Sequence, residues 1–196
     1  PTSLGGTDPL VNIPAIRLSQ ADGVAWKAQL AAAETVTLRM QSDLAIDRSS
    51  ALDNSIIAHE WGHFISNRLI GDASGLTSNH ARGLGEGWGD FYALLMAATG
   101  ADRSVPGNDQ YQGAYTVGSY AMAPVAAPVT DPGNVALFGM RRYPYSTDLA
   151  KNPLTLQHIA NNVALPGTVP RNPVVGGDNA AVHTMGEVWA SMLWGC

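Results

Sequence analysis

The pattern of apolar and polar positions changes twice within the first forty residues. Residues 11–18 are mainly apolar, with a proline near their start, which predicts a short strand. Ser19 is a suitable N-cap for a helix over 21–30. Alternation with β-branched residues over 35–40 predicts a second strand. The N-terminal end is therefore predicted to form a small strand–helix–strand unit.

Helical patterns dominate the remainder of the chain. A helix is predicted over about 52–69, with Ser50 or Asp53 as its N-cap and Gly71 where it stops. The glycine-rich residues 75–85 are predicted to form a loop. Further helices are predicted over 86–98, 154–161 and 180–194, and residues 101–152 are expected to be mostly irregular. The predicted fold class is α+β, with a mainly helical region after the strand–helix–strand unit.

The helix over 52–69 carries the sequence His59-Glu60-Trp61-Gly62-His63. Two histidines at i and i+4 lie one turn apart on the same face of a helix, so both imidazoles can bind one tetrahedral Zn²⁺. Zinc lowers the pKa of a bound water, and Glu60 could accept the proton that this water releases. Four apolar residues are expected to anchor this helix in a core: Ile56, Ile57, Phe64 and Ile65.

A catalytic zinc site needs a third protein ligand, because the short HExxH pattern also occurs by chance in helices. Glu86, predicted to open the next helix, offers that ligand. Asp90 lies one turn later and could hydrogen-bond the outer nitrogen of a zinc histidine, which fixes the tautomer of the ring. Alternatively, Glu86 is only a helix-start acid favoured by the helix dipole. The neighbouring HExxH motif favours the ligand.

A third group of residues includes Asp178 and His183. The aspartate could orient the histidine, and His183 could then stabilise the oxyanion of a tetrahedral intermediate. In the alternative interpretation, Asp178 is an N-cap and His183 an ordinary surface or core residue. The two residues alone favour that second interpretation.

Composition narrows the classes of function. The chain has 11 basic and 16 acidic residues without a Lys/Arg cluster, so nothing favours nucleic acid or an anionic membrane surface as a partner. No apolar run is long enough to span a bilayer. Cys196 is the single cysteine, so an internal disulfide is excluded. A nucleophilic Cys/His enzyme is disfavoured because nothing places a histidine or asparagine near this terminal residue.

Several segments, taken in order, resemble the fungalysin family of zinc metallopeptidases over roughly 47–196. The segments are His59-Glu60-Trp61-Gly62-His63, Ile65 to Leu69, Gly85-Glu86-Gly87-Trp88-Gly89-Asp90-Phe91, Gly139 to Thr147, Asn152 to Thr155 and His183 to Ala190. The resemblance implies a thermolysin-like catalytic domain. It implies a secreted, extracellular zinc metalloendopeptidase that acts on protein or peptide substrates.

The resemblance also implies a role for each site residue. His59, His63 and Glu86 would be the zinc ligands, Glu60 the general base and Asp90 the partner of a zinc histidine. Asp178 and His183 match the pair that stabilises the transition state. Arg141 matches the arginine that binds a substrate backbone carbonyl, with the adjacent Arg142 as the alternative. Glu187 also falls in the family pattern, without a chemical role that we can derive.

Residues 1–40 are similar to the end of a protease-associated domain, which leaves 41–196 as an incomplete catalytic region. The strand-rich upstream part of the same precursor is an expected partner. A non-catalytic zinc-binding or structural fragment is the alternative function, and the retained base Glu60 favours the enzyme. Calcium stays open as a second ion, although Asp43, Asp47 and Asp53 form no recognisable calcium loop.

Overall fold

In the computed structural model, which describes residues 20–35, 37, 48–123 and 137–196, helices account for nearly all of the regular structure. The described residues form five α-helices: α1 (Gln20–Ala31), α2 (Asn54–Leu69), α3 (Asn79–Ala97), α4 (Ser119–Met122) and α5 (Val182–Trp194). They contain no strand, and Tyr115 and Tyr145 form one isolated antiparallel bridge. The mainly helical part of the predicted fold class is confirmed.

The chain divides into two units, Pro1–Asp43 and Leu44–Cys196. Helix α1 belongs to the first unit and agrees with the helix predicted over 21–30. Its predicted N-cap and both predicted strands lie outside the described residues, apart from Thr35 and Thr37. The strand–helix–strand unit and its assignment to a protease-associated domain therefore stay predictions.

Helix α2 begins where an aspartate caps it. Asp53 Oδ1 accepts hydrogen bonds from the backbone N–H of Ser55 at 3.0 Å and from its hydroxyl at 2.5 Å. Asp53 Oδ2 accepts a further bond from the backbone N–H of Ala121 at 3.0 Å. Of the two residues predicted as possible N-caps, Asp53 is the one that caps α2. Ser50 instead starts a short 3-10 helix. The helix ends before Gly71, which has a left-handed φ of 49°.

The buried face of α2 consists of small and polar residues: Ala58, His59, Gly62 and Ser66. The expectation that four large apolar residues anchor this helix is wrong. Ile57 is 51% exposed and Phe64 is 43% exposed, while Ile56 and Ile65 are only partly buried. Helix α3 packs on the small-residue face, because only small side chains let two helix backbones come this close.

Helix α3 starts at Asn79, so the loop predicted over 75–85 is wrong beyond residue 78. The Ser78 hydroxyl caps the helix and accepts a hydrogen bond from the backbone N–H of Ala81 at 3.3 Å. Each glycine inside a helix costs about 1 kcal/mol relative to alanine, which is why local pattern predicted a loop. Four glycines of α3 are buried on two of its faces: Gly83 and Gly87 lie against α5, and Gly85 and Gly89 lie against α2.

The core lies where α3 packs against both α2 and α5. It contains the buried apolar residues Ala58, Ala93, Leu94, Val117, Tyr145 and Ala190. Burial of a side chain such as Leu94 stabilises the fold by about 1.5–3 kcal/mol. Helix α5 starts at Val182, two residues after the predicted start, and runs to Trp194 as predicted. A buried core at this junction fixes the three helices that carry the candidate site.

Most of the described residues between α3 and α5 are irregular, as predicted, apart from α4 and short 3-10 turns. The helix predicted over 154–161 is only a 3-10 turn, Leu156–Ile159. The Tyr115–Tyr145 bridge, with N···O distances of 2.8 and 2.7 Å, holds residues 139–146 against the core. Among the described helices, none is long and apolar enough to cross a lipid bilayer.

Candidate metal centre

Two histidines of α2 meet one carboxylate of α3. His59 Nε2 lies 3.3 Å and His63 Nε2 3.7 Å from the same Glu86 oxygen, Oε2. One ligand atom from each of the three residues lies within 4.8 Å of the other two. The imidazole rings are nearly perpendicular, with centroids 4.6 Å apart. The three side chains therefore converge on one small volume.

This arrangement fits a zinc ion. Ligand atoms about 2.0–2.2 Å from a tetrahedral metal lie roughly 3.4 Å from one another, close to the two distances to Glu86 Oε2. Glu86 Oε2 is buried and has no hydrogen-bond partner among the described residues. Imidazole nitrogens with a carboxylate oxygen are a ligand set that Zn²⁺ accepts. A ligand oxygen has the metal ion as its partner and needs no hydrogen bond from the protein. The buried Glu86 Oε2, which faces two imidazoles, fits this description.

Glu86 lies within α3 and not at its start, since the helix begins at Asn79. The alternative interpretation of Glu86 as a helix-start acid is therefore wrong. Its neighbour across the helix packing is Gly186 of α5, where an added Cβ would lie 2.4 Å from Glu86 Cβ. Glycine is required at this position because any side chain would displace the two helices.

The electrostatics of the three residues are coupled. Burial opposes ionisation of Glu86, but the contacts with His59 and His63 outweigh it and hold the pKa of Glu86 well below its usual range. Burial likewise opposes protonation of His59. The hydrogen bond with Asp90 and the contact with Glu86 outweigh this effect and raise the pKa of His59 to about 9. The site thus concentrates negative charge around two imidazoles, which favours a cation.

Asp90 lies one turn after Glu86 and is fully buried. Its Oδ1 lies 2.7 Å from His59 Nδ1, the ring nitrogen that faces away from Glu86. Arg141 donates to the same carboxylate from Nε at 2.5 Å and from Nη2 at 2.8 Å, and the Tyr145 hydroxyl donates to Oδ2. Burial opposes ionisation of Asp90, yet Arg141 and His59 hold its pKa far below the usual range.

The position of Asp90 gives each of its neighbours a physical role. A carboxylate that accepts from Nδ1 holds the His59 ring with Nε2 as the free ligand nitrogen. Gly89 permits this approach, because an added Cβ would lie 2.7 Å from His59 Nδ1. Arg141 is buried on Asp90, so two of its nitrogens are engaged there and not turned to a substrate. No sequence pattern indicated Tyr145 at this site, because its hydrogen bond joins two residues more than fifty positions apart in the chain.

The remaining predicted site residues lie at different distances from the metal centre. Glu60 is exposed on α2 beside His59. His183 approaches from α5, and its Nε2 lies 3.4 Å from Glu86 Oε1. Asp178 Oδ1 accepts a hydrogen bond from the backbone N–H of Ala180 at 3.0 Å, and no contact with His183 is found within the described ranges. The structure therefore places His183 at the centre and Asp178 in a turn before α5.

A comparison with known protein families finds a match that includes all residues of this centre. The family described as fungalysin metallopeptidase (M36) matches residues 25–196. The chain belongs to this family. The resemblance noted in its motifs is thereby confirmed.

Curated proteins similar to this fungalysin chain come from fungi. The extracellular metalloproteinase mep of Aspergillus terreus is 34% identical over 150 residues, and that of Aspergillus niger is 32% identical over 150 residues. Each match covers 75% of this chain and 18% of the relative. Extracellular metalloproteinase 1 of Phaeosphaeria nodorum is 32% identical over 151 residues, which are 76% of this chain and 18% of that protein. The chain thus spans less than a fifth of the length of these relatives.

The fungalysin chain also contains a buried ion pair beside the metal centre. Arg142 donates from Nε to Glu187 Oε2 at 2.7 Å, and both side chains are 1% exposed. The second Glu187 oxygen accepts the backbone N–H of Tyr143 at 2.8 Å. Burial raises the pKa of Glu187, and Arg142 opposes this shift only in part. Arg142, the alternative substrate arginine, is thus directed into the protein and not towards the site.

Proposed function

We propose that this chain is the zinc-binding catalytic region of a secreted, extracellular endopeptidase that hydrolyses peptide bonds of protein substrates. One observation carries the proposal: His59 and His63 direct their Nε2 atoms at a buried, unpartnered oxygen of Glu86. Family membership supports the reaction class, and the similar extracellular metalloproteinases support both the reaction class and the localisation.

His59, His63 and Glu86 would hold the zinc, and their number leaves a coordination position for water or substrate. When bound, zinc would lower the pKa of a water molecule and polarise the substrate carbonyl. Asp90 holds His59 in the tautomer that leaves Nε2 free. The three ligands would bind the ion and Asp90 orients His59, so the proton of the water must be accepted by a different side chain.

Glu60 is the proposed general base, because it is exposed and adjoins the ligand His59 on α2. His183 is proposed to donate a hydrogen bond to the oxygen that becomes negative as the peptide bond is attacked. Its imidazole is 63% exposed, and its Nε2 lies 3.4 Å from Glu86, so it can face a bound substrate beside the ligand set. Arg141 as a contact of a substrate carbonyl stays part of the proposal, since Asp90 engages only its Nε and Nη2 and leaves Nη1 as a donor.

Residues 1–40 are proposed to be the end of a protease-associated domain, on the resemblance of their sequence alone. The family match begins at residue 25, so the two assignments overlap across α1. A calcium ion stays a proposal without a defined site. Of the three aspartates considered for it, Asp53 uses both of its oxygens to accept hydrogen bonds at the start of α2.

The decisive experiment compares Glu60→Gln with the natural full-length protein. Glutamine keeps the shape but cannot accept a proton, so hydrolysis of a quenched peptide should fall by about 10²–10⁴-fold. Zinc measured by elemental analysis should stay at one ion per chain. Glu34→Gln makes the same chemical change at an exposed position and should leave both values unchanged. A loss below tenfold in Glu60→Gln would assign the base to another residue.

A second variant separates catalysis from metal binding. His63→Ala removes one of the three converging ligands and should abolish stoichiometric zinc binding. Full retention of zinc in this variant would contradict the ligand set. A protein that binds zinc through these ligands but hydrolyses no peptide would instead be a non-catalytic zinc module.

A further inference from the structure

The position of His183 needs an explanation, because its own packing does not provide one. It is the second residue of α5, and its side chain is 63% exposed. The N-cap of α5, Ala181, has no side chain that could bind the free N–H groups of the first turn. In the absence of such a cap, the start of α5 is held through its carbonyls, which accept hydrogen bonds from the Thr184 hydroxyl and from Arg142, and through the close packing of Gly186 on Glu86.

The guanidinium of Arg142 reaches three groups that flank His183 in the sequence. It donates from Nη1 to Asn179 Oδ1 at 2.7 Å, from Nη2 to the Thr184 carbonyl at 2.9 Å and from Nε to Glu187 at 2.7 Å. One group lies before α5, one lies next to His183 and one lies a turn later. A planar fork of five donors can bind all three at once, which a lysine cannot do.

The partners of Arg142 are themselves held in place. Glu187 Oε1 accepts the backbone N–H of Tyr143, which ties the pair to residues 139–146. Asn179 Nδ2 donates to the carbonyls of Ala160 at 3.0 Å and Val163 at 2.8 Å. The network therefore connects the first turn of α5 to two other segments of the same unit.

We infer that the buried Arg142–Glu187 pair is a positioning element that holds the first turn of α5, and with it His183, at the metal centre. A buried ion pair is a poor source of stability, because its desolvation offsets the attraction of the charges. Such pairs instead specify geometry when each nitrogen of the guanidinium and each oxygen of the carboxylate has a directed partner, as here. Arg142 and Glu187 thus act on the reaction through His183 without touching the substrate. This inference rests on the proposed function, since it assigns a role within that site.

The test is a double-mutant cycle in the natural full-length protein. Arg142→Lys keeps the charge but cannot bind all three partners, so His183 shifts and kcat should fall roughly 10- to 100-fold. KM and zinc content should change less than twofold, because the zinc ligands lie on α2 and α3. In a His183→Ala background, Arg142→Lys should change kcat less than twofold, since the residue through which it acts is gone.

Other outcomes would overturn the inference. An equal fall in both backgrounds would make the pair a purely structural element, and an unchanged kcat would remove its role. Arg171→Lys makes the same substitution at an exposed arginine and should leave kcat unchanged. Glu187→Gln keeps the shape and one acceptor, so it should give the same background-dependent fall as Arg142→Lys.

Amide hydrogen exchange provides a readout that does not need activity. Arg142→Lys should accelerate exchange in residues 179–187 while α2 and the centre of α3 keep their protection. Unchanged exchange in residues 179–187 would overturn the inference even in an inactive protein. Absence of peptide hydrolysis in the natural protein would contradict the proposed function alone, and the exchange result would still decide whether the pair holds α5.

Discussion

Arg141 and Arg142 are adjacent, yet their guanidinium groups bind carboxylates on two different helices. Arg141 binds Asp90 of α3, and Arg142 binds Glu187 of α5. All four side chains are almost completely buried. The segment that carries the two arginines thereby connects α3, which carries Glu86, with α5, which carries His183. Disruption of the Arg141–Asp90 pair should therefore lower metal affinity, whereas disruption of the Arg142–Glu187 pair should lower kcat.

The first prediction concerns Asp90→Asn. The amide keeps the size of the side chain but loses the charge that pairs with Arg141 and orients His59. Loss of such a partner typically lowers metal affinity by about 10–100-fold. Competition with a fluorescent chelator should show this fall in zinc affinity. Asp109→Asn changes an exposed carboxylate outside the candidate metal centre and should leave the affinity within twofold. An equal effect of both variants would refute the role of Asp90.

His183 and Asp178 should respond differently to substitution. His183→Ala should lower kcat by roughly 10²–10³-fold without loss of zinc, the scale seen when one donor to the oxyanion is removed. Asp178→Asn should cause a much smaller fall, because Asp178 binds the backbone of Ala180 and asparagine keeps that acceptor. Steady-state kinetics with elemental analysis of both variants checks this. Loss of zinc from His183→Ala would make His183 a ligand.

Gly186→Ala should destabilise the protein. The new methyl group would lie 2.4 Å from Glu86 Cβ and 2.8 Å from the backbone nitrogen of Gly87. Overpacking of this kind typically costs about 1–3 kcal/mol, which urea unfolding can measure. Gly195→Ala at the end of the same helix meets no atom closer than 3.6 Å and should change the free energy of unfolding by less than about 0.5 kcal/mol. Equal stability of the two variants would disprove direct contact of the backbones.

The cap of α2 should give a pH-dependent contribution to stability. Burial opposes ionisation of Asp53, but hydrogen bonds from Ser55 and Ala121 lower its pKa below 3.8 in the folded protein. Because the folded value is the lower one, the contribution is present above about pH 3.8 and is lost as the pH falls through the folded pKa. Asp53→Ala should cost about 0.5–2 kcal/mol at pH 7 and less in acid.

Urea titrations of wild type and Asp53→Ala at several pH values measure this difference. Ser49→Ala is the matched control, because it removes a cap that carries no charge. Its cost should be the same at every pH. A constant cost for Asp53→Ala as well would show that the cap does not depend on the charge of Asp53.

The sequence could predict which side chains meet at the candidate metal centre, because the spacings within α2 and within α3 are local. His59 and His63 share a face of any helix, and Glu86 and Asp90 share a face of the next one. The start of α3 was missed, since its glycines weaken a helix locally and are explained only by the approach of α2 and α5. The anchoring residues of α2 were misassigned for the same reason. The partners of Arg141, Arg142 and Glu187 could not be predicted, because each contact joins segments more than forty residues apart.

The contact between Gly186 and Glu86 leaves no layer of side chains between α5 and α3 at this point. Helices separated by a layer of side chains can slide when rotamers change, whereas direct backbone contact resists such sliding. We therefore expect α3 and α5 to move together as one rigid body. Spin labels placed on α3 and α5 should then report one unchanged distance when a peptide substrate is added, and any opening of the protein should come from other segments.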